Sequence, residues 1–240
     1  MMKKRLGILG GMGPLATADL YRKIVELTEA DCDNGHIRVI IDSNTAIPDR
    51  TAAILSGGPD PVPEMLSAAE NLVSCGAECI IMPCNTAHYF LPELRAKVSV
   101  PILDMTKIAA ERCAELYPGK RVCLLATRGT IASGVYTHAL AEKGVEYLLP
   151  NDDEQAILMH LIYDVVKASK PLTPEKELWS SLLEGLRGRG ADYFLLGCTE
   201  LPILSGYLAL PGPFLDSTEE LAKAAVSFCG YAVKQDHTLV

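Results

Sequence analysis

Two cysteines occupy matching places in this sequence, each directly after an apolar run of strand character. Cys84 follows ECIIMP and Cys198 follows DYFLLG, and a threonine stands within two residues of each. A thiol acts as a nucleophile or base only as the thiolate, which the start of a following helix favours. Two such thiols on opposite sides of one carbon atom could invert a stereocentre. One thiolate would remove the proton, and the other thiol would deliver a proton to the far face.

Other chemistry is open to the same residues. A redox disulfide between Cys84 and Cys198 is one competing hypothesis. A metal held by Cys84 and His88 is another, but the sequence offers no clear third or fourth ligand, so we expect no metal. The other six cysteines form no CxxC pair, and we interpret them as small core side chains or surface thiols.

The elements that position these cysteines follow from the hydropathy pattern. Short apolar runs alternate with amphipathic stretches, which is typical of parallel strands covered by helices on both faces of a sheet. We predict strands at 5–11, 37–42, 78–83, 100–104, 121–127, 145–150, 192–197 and 213–216. We predict helices at 15–30, 61–76, 89–98, 105–117, 134–144, 153–168, 177–190 and 218–233.

The chain also resembles itself, with an offset that drifts only from 116 to 112 residues. Three pairs of segments match in the same order: 4–9 with 120–125, 76–78 with 190–192, and 101–104 with 213–216. Three ordered matches indicate a duplicated βα unit, in which Cys198 is the counterpart of Cys84. Ligands of open α/β sheets bind at the carboxyl ends of the strands. We therefore expect the two thiols to face one cleft from opposite sides.

The duplication predicts two α/β lobes. Residues 1–104 together with 216–240 would form the first lobe, which carries Cys84 and the C-terminal helix. Residues 105–215 would form the second lobe, which carries Cys198. A chain of 240 residues is long enough to bury a core in each lobe.

Composition limits the partners and the compartment. The net charge of −8 leaves no basic surface for nucleic acid. We find no run of about 18 apolar residues that would span a membrane. The start of the sequence also lacks an export signal. We therefore expect a cytoplasmic protein whose partner is a small molecule and neither nucleic acid nor a membrane.

Six segments carry a resemblance to a known family: GILGGMGP, NTAIPDRT, PCNTAH, ATRGT, IYDVVK and LGCTELP. With these the chain resembles the aspartate/glutamate racemases, which use two cysteines and no cofactor. It looks most like the aspartate racemase branch. Glutamate racemases of the cell-wall pathway typically carry an acidic residue and a serine in the first loop, and a histidine after the second Cys-Thr. Here Gly10-Gly11-Met12-Gly13 and Glu200 stand at those places.

The resemblance implies two pseudo-symmetric, flavodoxin-like, doubly wound domains with the active site in the cleft between them, and commonly a homodimer. It implies racemisation of an acidic amino acid, with aspartate first and glutamate possible. Cys84 would act on the D-enantiomer and Cys198 on the L-enantiomer. The α-carboxylate would lie against donors from both lobes, and the substrate-binding residues would include Met12, Asn85, Thr86, Thr127, Thr130 and Thr199.

A dicarboxylic substrate also needs a cation for its side chain. Arg50 is the first candidate, since a guanidinium pairs with a carboxylate through two hydrogen bonds. Lys167 is the second, although family members often have a glycine where Ser169 stands, so either Lys167 or Lys170 could face the site. His88 could tune the Cys84 thiolate or be structural.

Glu200 could orient Cys198 or the substrate ammonium, or cap a helix.

Other functions also remain open. GMGPLA at 11–16 fits a dinucleotide-binding glycine loop, but Asp42 lies farther along than the spacing of about 20 residues that this fingerprint requires. Hydantoin racemase, maleate isomerase or arylmalonate decarboxylase activity, and a non-enzymatic amino-acid-binding protein, are further alternatives.

Overall fold

The computed structural model describes residues 3–209 and 212–234. A parallel sheet forms the core of the first half of the chain. Its strands are β1 (Leu6–Gly10), β2 (Val39–Ser43) and β3 (Cys79–Ile81), in the order β2-β1-β3. Leu6 pairs with Val39 on one side and with Cys79 on the other. The central strand β1 is buried along its whole length, as its uninterrupted apolar sequence requires.

The second half repeats this arrangement. Its strands are β4 (Val122–Leu125), β5 (Tyr147–Leu148), β6 (Tyr193–Leu196) and β7 (Phe214–Asp216). They pair in parallel in the order β5-β4-β6-β7. The order of β5, β4 and β6 matches that of β2, β1 and β3. The predicted α/β fold of two parallel-sheet halves is thus confirmed.

One predicted strand is reduced to a single contact. Residues 100–104 form only a parallel bridge between Ile80 and Ile102, whereas the matching segment in the second half is the full strand β7. The N–H of Gly197 extends the second sheet by donating to the Leu125 carbonyl (2.8 Å). Its counterpart by the repeat is Pro83, which has no N–H, so β3 ends one residue earlier along the side that faces β1.

Helices cover both sheets, as the amphipathic stretches predict. They are α1 (Pro14–Leu27), α2 (Arg50–Ser56), α3 (Val62–Ser74), α4 (Leu91–Lys97), α5 (Met105–Leu116), α6 (Arg128–Ser133), α7 (Val135–Glu142), α8 (Asp152–Met159), α9 (Lys176–Gly188), α10 (Glu200–Leu208) and α11 (Ser217–Phe228). Single 3₁₀ turns lie at Asp33–Gly35, Thr86–Phe90 and Thr173–Glu175. The helix predicted at 153–168 changes to a π-helix over His160–Val166. The helices α2, α6 and α10 lie in none of the predicted ranges, and the first two, at seven and six residues, are too short to show a clear periodicity.

Two helices at equivalent positions of the repeat, one from each half, pack against each other. Asp104 and Asp216 are matching residues, and each caps the helix that follows it, α5 or α11, by accepting backbone N–H groups. These two helices pack against each other, and α11 also packs on α1. Leu221 and Ala225 of α11 lie in one apolar cluster with Leu6 and Ile8 of β1.

The lobe boundaries at 104/105 and 215/216 stay a prediction. Residues 1, 2, 210, 211 and 235–240, which that prediction assigns to the two lobes, lie outside the described residues. Within the described ranges, no helix has both the length and the apolar character needed to cross a membrane.

Candidate active site

A narrow cavity lies where the carboxyl ends of the central strands of both sheets meet. Its free volume is about 10 Å³, room for about one water molecule, and both thiols reach its wall although Cys84 and Cys198 are each only 6% exposed. The cavity is lined by Met12, Asp49, Arg50, Thr51, Cys84, Asn85, Thr86, Thr127, Tyr163, Lys167, Cys198, Thr199 and Glu200. Every predicted catalytic and binding residue except Thr130 and His88 is among them.

The backbone of Cys84 is held by His88. The Nε2 atom of His88 accepts the backbone N–H of Met105 (3.1 Å), so the ring proton sits on Nδ1, which donates to the Cys84 carbonyl (2.9 Å). Burial lowers the pKa of His88 and keeps the ring neutral. With both ring nitrogens engaged, His88 has none left for the Cys84 sulfur or for a metal. Its geometry fits a structural role rather than tuning of the thiolate.

Cys198 is held in the thiol form. Its Sγ donates to Glu200 Oε2 at 3.0 Å, and the Thr199 hydroxyl lies 3.2 Å from the same oxygen. Burial raises the pKa of Cys198 well above its usual range, and the Glu200 carboxylate raises it further. Lys167 opposes this, with its Nζ 3.8 Å from Glu200 Oε1. Glu200 thus contacts the thiol, a hydroxyl and an ammonium at once.

Arg50 has part of its hydrogen-bonding capacity left over. Nη1 donates to the Ile47 and Pro48 carbonyls (3.2 and 2.8 Å), and Nη2 donates to the Met12 carbonyl (2.8 Å). The buried Nε has no partner among the described residues. Burial works against the charge, but the neighbouring Cys84 and Asp49 raise the pKa of Arg50. After these three bonds the Nε–H and one Nη2–H remain, and they are open to the Cys84 sulfur, which the guanidinium contacts, or to an anion in the cavity.

The amide of Asn85 also has a spare donor. Its Oδ1 accepts the Tyr136 hydroxyl, while its Nδ2 is buried and lacks a partner in the part of the chain that the structure describes. Two unpaired N–H donors, from Arg50 and Asn85, therefore line one small cavity. A buried donor without a partner is costly, so this donor set fits a bound carboxylate.

Three threonine hydroxyls close the junction between the halves. Thr86 lies 3.0 Å from Thr127 and 2.8 Å from Thr130, and the latter two are 3.0 Å apart. Thr127 also caps α6 by accepting the Thr130 backbone N–H. Thr130 stands behind the other two and does not line the cavity, so it holds Thr86 and Thr127 in place.

Lys167 and not Lys170 faces the cavity. Lys167 directly follows the π-helix, and its Nζ lies 4.7 Å from the centre of the Tyr163 ring. Burial disfavours its charge, but Glu200 and both cavity cysteines raise the pKa of Lys167. Ser169 follows with a φ of +53°, a conformation that suits glycine, and Lys170 is exposed.

Sequence reasoning missed three lining residues. Tyr163 donates from the π-helix to Asp49 Oδ2 (3.0 Å) and lies equally close to the Thr51 hydroxyl (3.0 Å). Asp49 also caps α2. Burial raises the pKa of Tyr163 to about 12, so the phenol stays protonated. All three lie in the quoted motifs NTAIPDRT and IYDVVK, yet nothing in the sequence indicates that those segments meet.

A wider chamber leads to the cavity from the surface. It encloses about 790 Å³, including open solvent, and shares Met12, Arg50, Tyr163, Lys167 and Glu200 with the inner cavity. The glycine loop forms one side of it. Gly11 has a φ of +91°, and a Cβ there would lie 2.3 Å from the Asn44 carbonyl oxygen. The chain's own packing therefore explains this glycine without a bound pyrophosphate.

Known proteins with similar sequences are racemases. The Asp/Glu/Hydantoin racemase family profile matches residues 9–225. The broad specificity amino-acid racemase RacX of Bacillus subtilis (strain 168) is 28% identical over 229 residues, covering 92% of this chain and 96% of that protein. A glutamate racemase of Corynebacterium kroppenstedtii is 31% identical over 161 residues, covering 64% of this chain and 54% of that protein.

Solved structures of racemases resemble this chain over its whole fold. The aspartate racemase of Picrophilus torridus matches with a TM-score of 0.85 and 31% identity, covering 96% of each chain. An aspartate racemase homologue from Pyrococcus horikoshii OT3 matches with a TM-score of 0.74 and 28% identity, covering 94% of this chain and 99% of the other. The chain therefore belongs to the Asp/Glu/Hydantoin racemase family, and with it to the isomerases that racemise amino acids.

Proposed function

We propose that the protein racemises an acidic amino acid, aspartate in the first place, by proton transfer at Cα between Cys84 and Cys198 without a cofactor. The observation that carries this proposal is the shared cavity: two thiols from equivalent strand ends line one space with Arg50 and Lys167. A homodimer of two such chains is part of the proposal.

The reaction needs one thiolate and one thiol at a time. The Cys84 thiolate removes the Cα proton of the D-enantiomer, and the Cys198 thiol protonates the planar carbanion on its other face. The cysteines end with their protonation states exchanged, and the reverse reaction restores them. The thiol form of Cys198, which Glu200 favours, is the form that this direction needs.

The unpaired donors orient the substrate. Asn85 Nδ2 is next to Cys84 and suits the α-carboxylate, which carries much of the carbanion's charge. The free edge of Arg50 suits the side-chain carboxylate, with Lys167 adding positive charge. A pre-organised donor helps most where negative charge develops, so the contact to the α-carboxylate should speed the proton transfer itself.

Two likenesses favour different substrate ranges. The match to an aspartate racemase over 96% of both chains favours aspartate. The match to a broad specificity racemase, together with apolar residues in the outer chamber such as Leu15, Ile47 and Val166, favours a second candidate, a racemase that also accepts larger side chains. A panel of L-amino acids analysed by chiral chromatography separates the two.

The central experiment uses L-aspartate in D2O without added cofactor. We expect D-aspartate with deuterium at Cα. Cys84→Ala should lose inversion but still exchange the α-proton of L-aspartate, because Cys198 can remove and return a proton on one face. Cys198→Ala should show the mirror result with D-aspartate. Cys113→Ala, a buried thiol outside the cavity, is the control. Near-full racemisation by either cavity variant would disprove the two-thiol mechanism.

A further inference from the structure

A buried tyrosine from the second half of the chain contacts the candidate carboxylate site in the first. Tyr136 lies in α7 and is fully buried. Its ring packs in an apolar cluster with Leu124, Leu140 and Tyr193. Its hydroxyl donates to Asn85 Oδ1 at 2.5 Å, across 51 residues of sequence. The phenol is therefore fixed by the core while its only polar atom touches the residue after Cys84.

This contact determines which end of the Asn85 amide faces the cavity. Burial raises the pKa of Tyr136, so the phenol keeps its proton and needs an acceptor. Asn85 Oδ1 lies 2.5 Å from the phenol oxygen, and Ser217 is also near the phenol, with its own hydroxyl donating to the Leu196 carbonyl (2.7 Å). With Oδ1 as the acceptor, the NH2 group of Asn85 is turned away from Tyr136. Asn85 is only 2% exposed and lines the cavity, where Nδ2 finds no acceptor in the described residues. The unpaired amide therefore points to a ligand that accepts hydrogen bonds.

We propose that Tyr136 is a positioning residue, which fixes the Asn85 amide so that Nδ2 donates to the carboxylate of a bound ligand. Without the phenol hydroxyl the amide is free to rotate by half a turn. The rotated amide presents Oδ1 to the carboxylate, and two acceptors then repel each other. The identification of the carboxylate with the α-carboxylate of an amino acid rests on the proposed function; the positioning itself does not.

Tyr136→Phe removes the hydroxyl and keeps the ring in the core. The matched control is Tyr193→Phe, since Tyr193 is a tyrosine of the same cluster and only 1% exposed. The hydroxyl of Tyr193 lies near Cys113, and Tyr193 is not among the residues lining the cavity. Both variants keep the ring and lose one buried hydroxyl. The Tyr193 hydroxyl has no hydrogen-bond partner among the described residues, so the comparison controls for the lost volume and not for a lost hydrogen bond.

The probe is malonate, a small dicarboxylate, and its dissociation constant is measured by calorimetry with the full chain. We expect Tyr136→Phe to weaken malonate binding about tenfold, which corresponds to about 1.4 kcal/mol, and Tyr193→Phe to leave it unchanged. In an Asn85→Ala background, Tyr136→Phe should cause no further loss, because it acts only through the amide. This non-additivity separates positioning from a structural role.

Three results would overturn the inference: no malonate binding by the unmodified protein, equal losses in the two tyrosine variants, or a full tenfold loss that persists in the Asn85→Ala background. A different result would disprove the proposed function. If the unmodified protein binds malonate in the expected pattern but inverts no amino acid, the positioning role stands and the racemase mechanism does not. Racemisation of L-aspartate by the same variants completes the comparison.

Discussion

Arg50→Lys is the most informative substitution in the cavity, because it keeps the positive charge and changes the number of donors. A guanidinium has five N–H groups and an ammonium has three. Three N–H groups of Arg50 are already engaged with the Ile47, Pro48 and Met12 carbonyls. A lysine at this position can satisfy those carbonyls only by using every donor it has, and none is left for a substrate.

The size of the effect follows from that count. The substitution removes two charge-assisted hydrogen bonds to the side-chain carboxylate, each with a net contribution of about 1.5–3 kcal/mol. A loss of at least about 3 kcal/mol lowers kcat/KM for aspartate roughly 100-fold. L-alanine, which has no second carboxylate, should change by no more than about threefold, as expected for about 0.5 kcal/mol of indirect effect.

The assay is the rate of racemisation of aspartate, glutamate and alanine, followed by chiral chromatography. Arg95→Lys is the matched control, since Arg95 also donates to a backbone carbonyl, that of Ile102 (2.6 Å), but is absent from the lining of the cavity. Thermal unfolding of both variants shows whether they fold. Equal losses for alanine and aspartate would refute the reasoning. Arg50 would then act on the neighbouring Cys84 thiolate and not on the second carboxylate.

Three further predictions concern acidity and strain. Glu200→Gln removes a carboxylate that raises the pKa of Cys198, so iodoacetamide should alkylate Cys198 several-fold faster at pH 8, as mass spectrometry of the peptides would show. The pKa of His88 is lowered in the fold, so the unfolded chain takes up its proton first, and the free energy of unfolding should fall as pH drops below about 6.5. Denaturant titrations between pH 5 and pH 7 measure this slope, which should flatten in His88→Gln. Ser169→Gly should stabilise the protein by about 0.5 kcal/mol in the same titrations. The left-handed conformation of Ser169 costs roughly 1–2 kcal/mol, and the greater conformational entropy of a glycine in the unfolded chain takes back about 0.5–1 kcal/mol of the gain.

Each of these three predictions has a control within the same protein. The exposed thiol of Cys75 should react at the same rate in Glu200→Gln as in the unmodified protein, and an unchanged rate at Cys198 would exclude the carboxylate as its partner. A pH slope that persists in His88→Gln would assign it to other groups. Ala168→Gly should destabilise, since Ala168 does not have a positive φ. Equal effects at Ala168 and Ser169 would contradict the strain argument.

The pattern of strands and the placing of the cysteines could be predicted, because both depend on local features. A strand buried on both faces needs an apolar run, and the chain at β1, β4 and β6 has one. The repeat then relates Cys84 to Cys198, and the carboxyl ends of parallel strands lie at one edge of a sheet. The predicted strand at 100–104 forms only the bridge between Ile80 and Ile102.

The partners within the cavity could not be predicted. Tyr136 reaches Asn85 across 51 residues, and Tyr163 reaches Asp49 across 114. Likewise, His88 lies one helical turn after Cys84 in the sequence, which does not reveal the partners of its ring. Nδ1 donates to the Cys84 carbonyl, because Nε2 accepts the backbone N–H of Met105.

The amino-acid sequence by itself determined the α/β class, the duplication and the two thiols at equivalent strand ends, since these follow from side-chain hydropathy and residue order. Only the tertiary structure decided that Lys167 faces the cavity, that the Nε–H of Arg50 stays unpaired among the described residues, and that Glu200 contacts Cys198. Those outcomes depend on which groups from the two halves are brought within about 3 Å of each other, the reach of a hydrogen bond. That proximity is set by how the halves pack, and no single segment of the chain encodes it.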